Sequence, residues 1–351
     1  MVAQEIDQGI NSDIYQGLGA PPAEWLSLHA DEDLAVVVEA LLASCAQIAT
    51  KVRTASCDSE ACFSPPMMED EGEDEEQGEM AVDVLANDLL VSKLVATGIV
   101  SVISSTSDGI EDQQVRGSGF AVALDPLSGT SILDTNFCVG TMFSIWRGDT
   151  LQNITGRELV AAGACLYGPR TTCVVALRDM PAVHEFLLLE EATAVAGSDG
   201  RWAKSNAFGY LQEGKLFSPA NYRCSATHEG YAKLIEHWQR EEFSLRYTGA
   251  AVVDVVQLLV KGCGVYVSPA SMGQRATLRL LYEAIPLSFL VQKAGGFCSD
   301  GEQSVLDIPV RNTDHRTQLA VGSEAEVRRF DSIVGPSPVQ GWLTTSERRQ
   351  L

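Results

Sequence analysis

The run from Gly119 to Ser131 constrains this chain more than any other part of the sequence. Five apolar residues precede Asp125, which places this acidic side chain at the carboxyl end of a buried strand, where the ligands of α/β proteins bind. Gly129 has no side chain and therefore lets a phosphate approach the backbone closely. The N–H groups and hydroxyls of Thr130 and Ser131 are further donors to an anion if these residues open a helix. The run predicts an α/β fold with a phosphate site at this turn.

Elsewhere the apolar pattern alternates between helical and strand periods. One or two amphipathic helices are predicted between residues 23 and 54, and further helices over 80–97 and 252–259. A strong helix is predicted over 277–294, closed by a pair of glycines. Short apolar runs, typical of strands that are buried on both faces, occur at 99–104, 120–124, 138–146, 164–168, 171–178, 184–189 and 318–322. The pattern predicts a layered α/β protein with mixed sheets.

The length of 351 residues allows one large domain or two closely joined lobes. We expect an N-terminal arm over 1–22 and a metal and phosphate lobe over 23–195 that contains an acidic loop at 63–79. A sugar-phosphate lobe is expected over 196–335, and a C-terminal tail over 336–351.

The net charge of −22 restricts the partners of the chain. A protein this acidic is a poor ligand for nucleic acid or for an anionic membrane. An anionic substrate would need local cations or a metal ion at its site. The apolar stretch Leu34–Ala43 is interrupted by Glu39 and is too short to span a bilayer, and no secretory signal is recognised. Nine cysteines, mostly single in apolar segments, favour a reducing compartment.

The turn Asp125-Pro126-Leu127-x-Gly129-x-Ser131 resembles the metal and phosphate motif of the fructose-1,6-bisphosphatase superfamily. The surrounding segment 122–148 is similar to the sedoheptulose-1,7-bisphosphatase branch of that superfamily, as are 168–172, 184–189, 245–249, 278–283 and 299–307. The resemblance implies a layered α/β/α(β/α) sandwich that is commonly oligomeric, as a dimer or a tetramer. It also implies a phosphatase that acts on a ketose bisphosphate with Mg²⁺ or Mn²⁺.

The same resemblance implies roles for individual residues. Metal-assisted hydrolysis of the C1 phosphate would use Asp125, the backbone carbonyl of Leu127 and Glu283 as metal ligands, with Asp83 helping to activate water. The residues implied in holding the two phosphates and the sugar are Gly129, Thr130, Ser131, Asn221, Arg246, Tyr247 and Arg279. In this family an equivalent of Arg246 can reach the site of the neighbouring subunit.

Several positions depart from the family pattern, and most of them concern the metal site. Neutral residues stand where the family has acidic ones, at Ser128, at Thr106 and Ser107, and at Gln77; Thr277 replaces a lysine. A hydroxyl is a weaker ligand for a hard cation than a carboxylate, so fewer ions than in the family are expected. Acidic residues in nearby loops, such as Asp108, Glu111 and Glu79, could take over if those loops shift.

Three functions therefore stay open at this point. The first is a Mg²⁺-dependent sedoheptulose-1,7-bisphosphatase that also accepts fructose 1,6-bisphosphate. The second is a catalytically weakened sugar-phosphate-binding or regulatory protein of the same fold. The third is a related phosphatase for inositol phosphates or a nucleotide 3′-phosphate, because the wider superfamily shares this kind of turn.

Cys57 and Cys62 form the one close pair of cysteines. Their segment is similar to one in plastid sedoheptulose-1,7-bisphosphatases, where a Cys-x4-Cys pair is reduced by thioredoxin. The alternative is two free thiols in an exposed loop. The expected location is the cytoplasm or a plastid, without secretion.

Overall fold

The computed structural model describes residues 19–54, 81–107, 113–115, 117–189 and 202–338. The cysteine pair Cys57 and Cys62, the acidic loop 63–79 with Gln77, and the acidic residues Asp108 and Glu111 lie outside these residues. The arm lies outside them up to residue 18, and the tail from residue 339.

Seven α-helices occur in the described part of the chain. They are α1 (Pro22–His29), α2 (Glu32–Thr54), α3 (Ala81–Thr97), α4 (Glu229–Arg240), α5 (Ala251–Lys261), α6 (Ile285–Lys293) and α7 (Glu324–Ile333). Helix α2 falls within the range 23–54 that was predicted to hold one or two helices and, by length and composition alone, could cross a membrane. More than half of its most apolar window is buried inside the protein, which is typical of a core helix.

Fifteen strands form two large sheets and one small one within the described residues. The first sheet has the order β2-β1-β3-β4-β5-β6-β7-β8, the second β10-β9-β11-β15-β13, and β12 pairs with β14. The strands are β1 (Val100–Ser105), β2 (Gln113–Gln114), β3 (Phe120–Ser128), β4 (Val139–Arg147), β5 (Leu159–Tyr167), β6 (Thr171–Leu177), β7 (Val183–Leu188), β8 (Trp202–Phe208), β9 (Gln212–Pro219), β10 (Ser244–Leu245), β11 (Cys263–Ser268), β12 (Leu278–Arg279), β13 (Phe297–Ser299), β14 (Arg316–Thr317) and β15 (Leu319–Gly322).

The helices and the two large sheets form five layers, which pack around three apolar cores. Helices α1 to α3 pack on one face of the first sheet, and α5 and α6 pack between its other face and the second sheet. Helices α4 and α7 cover the outer face of the second sheet. Strands β1 and β3 are buried along their whole length because helices lie on both faces of their sheet. The predicted layered α/β fold with mixed sheets is confirmed.

The prediction of one continuous helix over 277–294 is wrong in its first half. Leu278–Arg279 pairs as strand β12, residues Leu280–Ala284 form a π-helical turn, and α6 begins only at Ile285. The cause is Pro286, whose ring has no N–H and clashes with the carbonyl four residues earlier, so a regular α-helix cannot run through it. The N–H of Leu280 donates to the carbonyl of His315 at 2.6 Å instead. This π-helical turn carries Glu283.

Candidate active site

Asp125 lies where strand β3 meets a local break in its pairing with β4. Asp125 is opposite Met142, but Ser128 is opposite Gly140, so β3 has one residue more than β4 across this interval. Such a bulge bends the strand and redirects its side chains, and Pro126 fits it because proline has no N–H for the ladder. The side chain of Asp125 is buried, with 7% of its surface exposed. The sequence thus places a buried carboxylate at the bulge near the end of β3.

Two further carboxylates converge on Asp125 from distant parts of the chain. Asp83 lies in the first turn of α3, and Glu283 lies in the π-helical turn before α6. Burial raises the pKa of Asp125 well above its usual range, and the charges of Glu283 and Asp83 raise it further. Burial also raises the pKa of Glu283. A buried carboxyl group whose ionisation is opposed by two neighbouring carboxylates forms a site with a strong demand for positive charge.

Hydroxyl groups contact these carboxylates at the positions where the resemblance implied acidic residues. Thr106 Oγ1 donates to Asp125 Oδ1 at 3.5 Å, and Ser107 Oγ donates to Asp83 Oδ1 at 3.2 Å. A hydrogen bond from Ser128 lowers the pKa of Asp125, against the larger effect of burial. Three of the departures from the family pattern, Thr106, Ser107 and Ser128, are therefore grouped around Asp125 and Asp83, and their hydroxyls orient these carboxylates.

Arg279 and Arg316 supply positive charge beside this cluster. The charge of Arg279 lowers the pKa of Asp125, and both arginines lower the pKa of Glu283. The sequence motif contained Arg279 but gave no reason to single out Arg316. The two arginines are opposite each other in the β12–β14 pair, so only the strand register brings Arg316 to the site.

Gly129 begins the turn that follows the bulge, with a left-handed φ of 87°. A Cβ atom at this position would lie 2.6 Å from the Cβ of Ala250, so a side chain would collide with the loop before α5. Thr130 to Ile132 form a single 3₁₀ turn and open no α-helix, so the predicted phosphate turn has little helix dipole. Thr130 is half-buried and Ser131 is exposed, so both hydroxyls lie near the solvent side of the turn.

The loop that contains Arg246 and Tyr247 packs next to this turn through Ala250. Both side chains are exposed, and the guanidinium of Arg246 donates to the carbonyl of Leu245 at 2.8 Å. Asp254, which the sequence analysis did not single out, is fully buried behind the loop and accepts the N–H of Thr248 at 3.0 and 3.2 Å. Burial raises the pKa of Asp254 to about 6. An acidic residue within the apolar run of α5 was the signal that could have identified it.

Asn221 lies farther along the second sheet and has a left-handed φ of 45°. Its Nδ2 donates to the carbonyls of Pro269 and Arg275, at 2.7 and 3.1 Å. Both amide hydrogens are therefore used within the protein, which makes Asn221 a residue that shapes the loop of Arg275. Thr277, at the position of a family lysine, hydrogen-bonds Ser268 at 3.1 Å.

The donors at the carboxylate cluster are of the kind that hard divalent cations prefer, namely carboxylate and carbonyl oxygens. Within the described ranges, no group of three or more His, Cys, Asp and Glu side chains is arranged to hold a metal ion. Mg²⁺ is often bound by one or two carboxylates that water and substrate phosphate supplement, and the pair Asp125 and Glu283 fits that mode. The donor set therefore fits a divalent cation, with substrate completing its shell.

Comparisons with known proteins match this architecture. A family model described as the N-terminal domain of fructose-1-6-bisphosphatase matches residues 24–195, and the corresponding C-terminal domain matches 211–335. The chain belongs to the fructose-1,6-bisphosphatase family. The family membership confirms the resemblance and the fold that the turn at Asp125 predicted.

Individual relatives narrow the position of the chain within the fructose-1,6-bisphosphatase family. It is 45% identical over 291 residues to the chloroplastic sedoheptulose-1,7-bisphosphatase of Spinacia oleracea, covering 82% of this chain and 70% of the relative. It is 42% identical over 311 residues to that of Chlamydomonas reinhardtii, covering 88% and 75%. The crystal structure of a Toxoplasma gondii protein described as a sedoheptulose-1,7 bisphosphatase superimposes with a TM-score of 0.77 at 31% identity, covering 90% and 98% of the two chains.

Proposed function

We propose that this chain is a sugar-bisphosphate phosphatase that hydrolyses the C1 phosphate of sedoheptulose 1,7-bisphosphate and also accepts fructose 1,6-bisphosphate. The enzyme class, phosphoric monoester hydrolase, is the one that the family and the relatives share. The observation that carries the proposal is the cluster of buried Asp125 with half-buried Asp83 and Glu283, beside the turn at Gly129. Neither the family nor these relatives favour the alternative of a weakened regulatory protein.

The cation that we propose for this cluster is Mg²⁺ or Mn²⁺. Asp125 and Glu283 would hold it, together with the backbone carbonyl of Leu127. When bound, the ion supplies positive charge that offsets the phosphate and the carboxylates in a chain with a net charge of −22. The hydroxyls at Thr106, Ser107 and Ser128 support fewer ions than a site with carboxylates at those positions, because neutral oxygens offset less cationic charge.

Asp83 is the group that we assign to activation of the attacking water. Its carboxylate is oriented by the hydroxyl of Ser107, and its side chain is only half-buried, so water can reach it. A carboxylate held in one orientation can accept a proton in the transition state, which is general-base catalysis. Arg279, next to Asp125 and Glu283, adds a fixed positive charge on the side of the site where the phosphate would lie.

The substrate phosphates are assigned to the two adjacent loops. The reacting phosphate would lie against Gly129, where the missing side chain leaves the backbone accessible, with Thr130 and Ser131 as donors. Arg246 and Tyr247 would bind the distal phosphate as a cation and a hydroxyl donor. The exposure of Arg246 agrees with a role across a subunit boundary, so we propose a homo-oligomer, a dimer or a tetramer.

The relatives from Spinacia oleracea and Chlamydomonas reinhardtii are named as chloroplastic, and we propose a plastid location for this chain on that basis. Reduction of Cys57 and Cys62 by thioredoxin is part of the same proposal. Its support is the sequence similarity of the segment, because both cysteines lie outside the described residues.

Release of inorganic phosphate tests the proposed function. Sedoheptulose 1,7-bisphosphate and fructose 1,6-bisphosphate are each incubated with the protein and Mg²⁺, and the matching 7- and 6-monophosphates are the controls. The proposal expects release of one phosphate per bisphosphate and none from these monophosphates, because they keep the distal phosphate but lack the C1 phosphate that is hydrolysed. Equal release from bisphosphates and monophosphates would contradict the assigned specificity.

A further inference from the structure

The backbone carbonyl of Pro126 is held by a side chain from the neighbouring strand. The bulge between Asp125 and Ser128 interrupts the regular pairing of β3 with β4 at this position. A buried carbonyl outside a ladder needs another donor, or its desolvation is not compensated. Thr141 on β4 supplies that donor, with Oγ1 at 2.6 Å from the carbonyl oxygen of Pro126. The bulged turn is therefore attached to the sheet through a hydroxyl group.

The direction of the hydrogen bonds beyond Thr141 follows from donor and acceptor chemistry. A carbonyl only accepts, so the single hydroxyl proton of Thr141 is used on Pro126. The hydroxyl of Tyr167 lies 2.7 Å from Thr141 Oγ1, and it must therefore be the donor of that second bond. Thr141 is fully buried and Tyr167 is 5% exposed, so water does not compete for either hydroxyl. We call this ordered pair of bonds, from Tyr167 to Thr141 to Pro126, the hydroxyl chain.

The far end of the hydroxyl chain lies among buried thiols. The thiols of Cys45 on α2 and Cys165 on β5 lie next to the phenol of Tyr167 and influence its pKa. Burial raises the pKa of Tyr167 well above its usual range, which keeps the phenol in its donor form at physiological pH. The hydroxyl chain thus connects the bulge with the helical layer on the outer face of the first sheet.

We propose that Thr141 and Tyr167 are positioning residues for the active-site turn. They fix the peptide between Pro126 and Leu127. They thereby position the carboxylate of Asp125 and the carbonyl of Leu127, which we assign to the metal ion. Neither residue touches substrate. This inference rests on the proposed function for its catalytic consequence, whereas the fixed backbone is a property of the fold alone. Groups that orient metal ligands typically change metal affinity or activity by about 10- to 100-fold when removed.

Substitutions at Thr141 separate positioning from packing. Thr141→Val keeps the shape of the side chain and removes the hydroxyl, Thr141→Ser keeps the hydroxyl and removes a methyl group, and Tyr167→Phe removes the second donor. Ser144→Ala is the matched control, because Ser144 is a fully buried residue on the same strand and its hydroxyl has no partner in the described part of the protein. Three quantities are measured for each variant: amide hydrogen exchange over residues 125–131, equilibrium binding of Mn²⁺, and kcat and KM for sedoheptulose 1,7-bisphosphate.

Thr141→Val is expected to speed exchange in the turn and to lower Mn²⁺ affinity and kcat by about 10- to 100-fold, with KM within about twofold of the wild type. Thr141→Ser should restore all three to within about threefold, Tyr167→Phe should give a smaller loss than Thr141→Val, and Ser144→Ala should match the wild type. A merely structural hydroxyl would change the melting temperature alone.

The proposal would be overturned if folded Thr141→Val had the same exchange rates, Mn²⁺ affinity and kcat as the wild type. It would also be overturned if Thr141→Ser failed to restore these three quantities. If Thr141→Val does not fold, Tyr167→Phe is the deciding variant, because it removes the donor that orders the Thr141 hydroxyl; wild-type exchange, Mn²⁺ affinity and kcat in folded Tyr167→Phe would then overturn the proposal. Absence of phosphatase activity in the wild type would refute the proposed function instead. The exchange comparison would still show whether the hydroxyl chain fixes the turn.

Discussion

The backbone N–H of Arg279 donates a hydrogen bond of 2.8 Å to the carboxylate of Glu283. The guanidinium of the same arginine donates to the carbonyl of Thr106 at 3.4 Å. One residue therefore orients an acidic group on the π-helical turn and joins that turn to the end of β1. The arrangement keeps Glu283 directed at Asp125 although their like charges oppose each other.

Replacement of Glu283 by glutamine is expected to abolish function and yet stabilise the protein without metal. The amide oxygen can still accept the N–H of Arg279, while the charge that raises the pKa of Asp125 is removed. We expect kcat and Mn²⁺ affinity to fall by at least about 100-fold, and the melting temperature of metal-free protein to rise by a few degrees. Isothermal titration and thermal unfolding measure the two effects.

Glu185→Gln is the control for that substitution, because Glu185 is also buried but accepts a hydrogen bond from Ser205 at 2.7 Å, away from the site. It should leave kcat unchanged and should not stabilise the protein. Unchanged metal affinity in Glu283→Gln would show that Glu283 is no ligand.

Asp254 is expected to make stability depend on pH in the acid range. Its folded-state pKa of about 6 is higher than its ordinary value of about 4, so the folded protein binds the extra proton between these values. The contribution is fully present below about pH 4 and is lost as the pH rises to about 6. The size is about 3 kcal/mol for a shift of about two pKa units.

Comparing urea unfolding of the wild type and Asp254→Asn at pH 4 and pH 6.5 isolates this contribution. The difference in free energy of unfolding between the two proteins should change by about 2–3 kcal/mol across this pH range. The wild type should become less stable relative to Asp254→Asn as the pH rises. A difference that is independent of pH would contradict the assignment.

Much of the site could be predicted because it lies in contiguous motifs. The residues around Asp125 and Gly129 were sufficient to predict the strand, the turn that follows it and the phosphate site. Arg316 could not be predicted, because it reaches the cluster only through the register of two short strands. The bulge at Pro126 escaped prediction because it depends on the pairing of β3 with β4, and the π-helical turn escaped because the apolar periodicity was followed through Pro286. Both irregular elements carry site residues, which is common at functional sites.

Gly129→Ala tests whether the absence of a side chain is needed at the phosphate turn. The new Cβ would lie 2.6 Å from the Cβ of Ala250 and would have a positive φ, at a backbone cost of about 1–2 kcal/mol. We expect the loop of Arg246 to be displaced and activity to fall by at least about 10-fold, since a displacement of about 1 Å can cost about 100-fold. Thermal unfolding and phosphate release are measured together.

Gly148→Ala is the matched control, because Gly148 has a positive φ of 115° and a Cβ there would meet nothing within 4 Å in the described structure. It should lose stability and keep activity. The double variant Gly129→Ala/Ala250→Gly should recover part of the activity. Equal activity of the Gly129 and Gly148 variants would argue against close packing at the turn.

Arg246 provides a test of the proposed exchange of residues between subunits. Arg246→Ala and Asp125→Asn should each be nearly inactive alone, because one lacks the distal-phosphate contact and the other the metal ligand. In mixed dimers one of the two sites regains both residues if Arg246 serves the neighbouring subunit. Isolated mixed dimers should then recover roughly half of wild-type activity.

The mixture is prepared by co-expression with two affinity tags, so that mixed oligomers are isolated and counted. Arg240→Ala, an exposed arginine at the end of α4, serves as the control and should be active by itself. Mixed oligomers without recovered activity would place Arg246 in the site of its own subunit.

The most direct test of the central assignment is phosphate release from sedoheptulose 1,7-bisphosphate by the wild type, Asp125→Asn and Asp88→Asn in saturating Mg²⁺. Asp88 is an exposed carboxylate on α3 and serves as the control. The account predicts wild-type turnover within the usual enzyme range of about 1–10³ s⁻¹, the same rate for Asp88→Asn, and a loss of at least about 100-fold for Asp125→Asn. No release by the folded wild type, or undiminished release by Asp125→Asn, would contradict it.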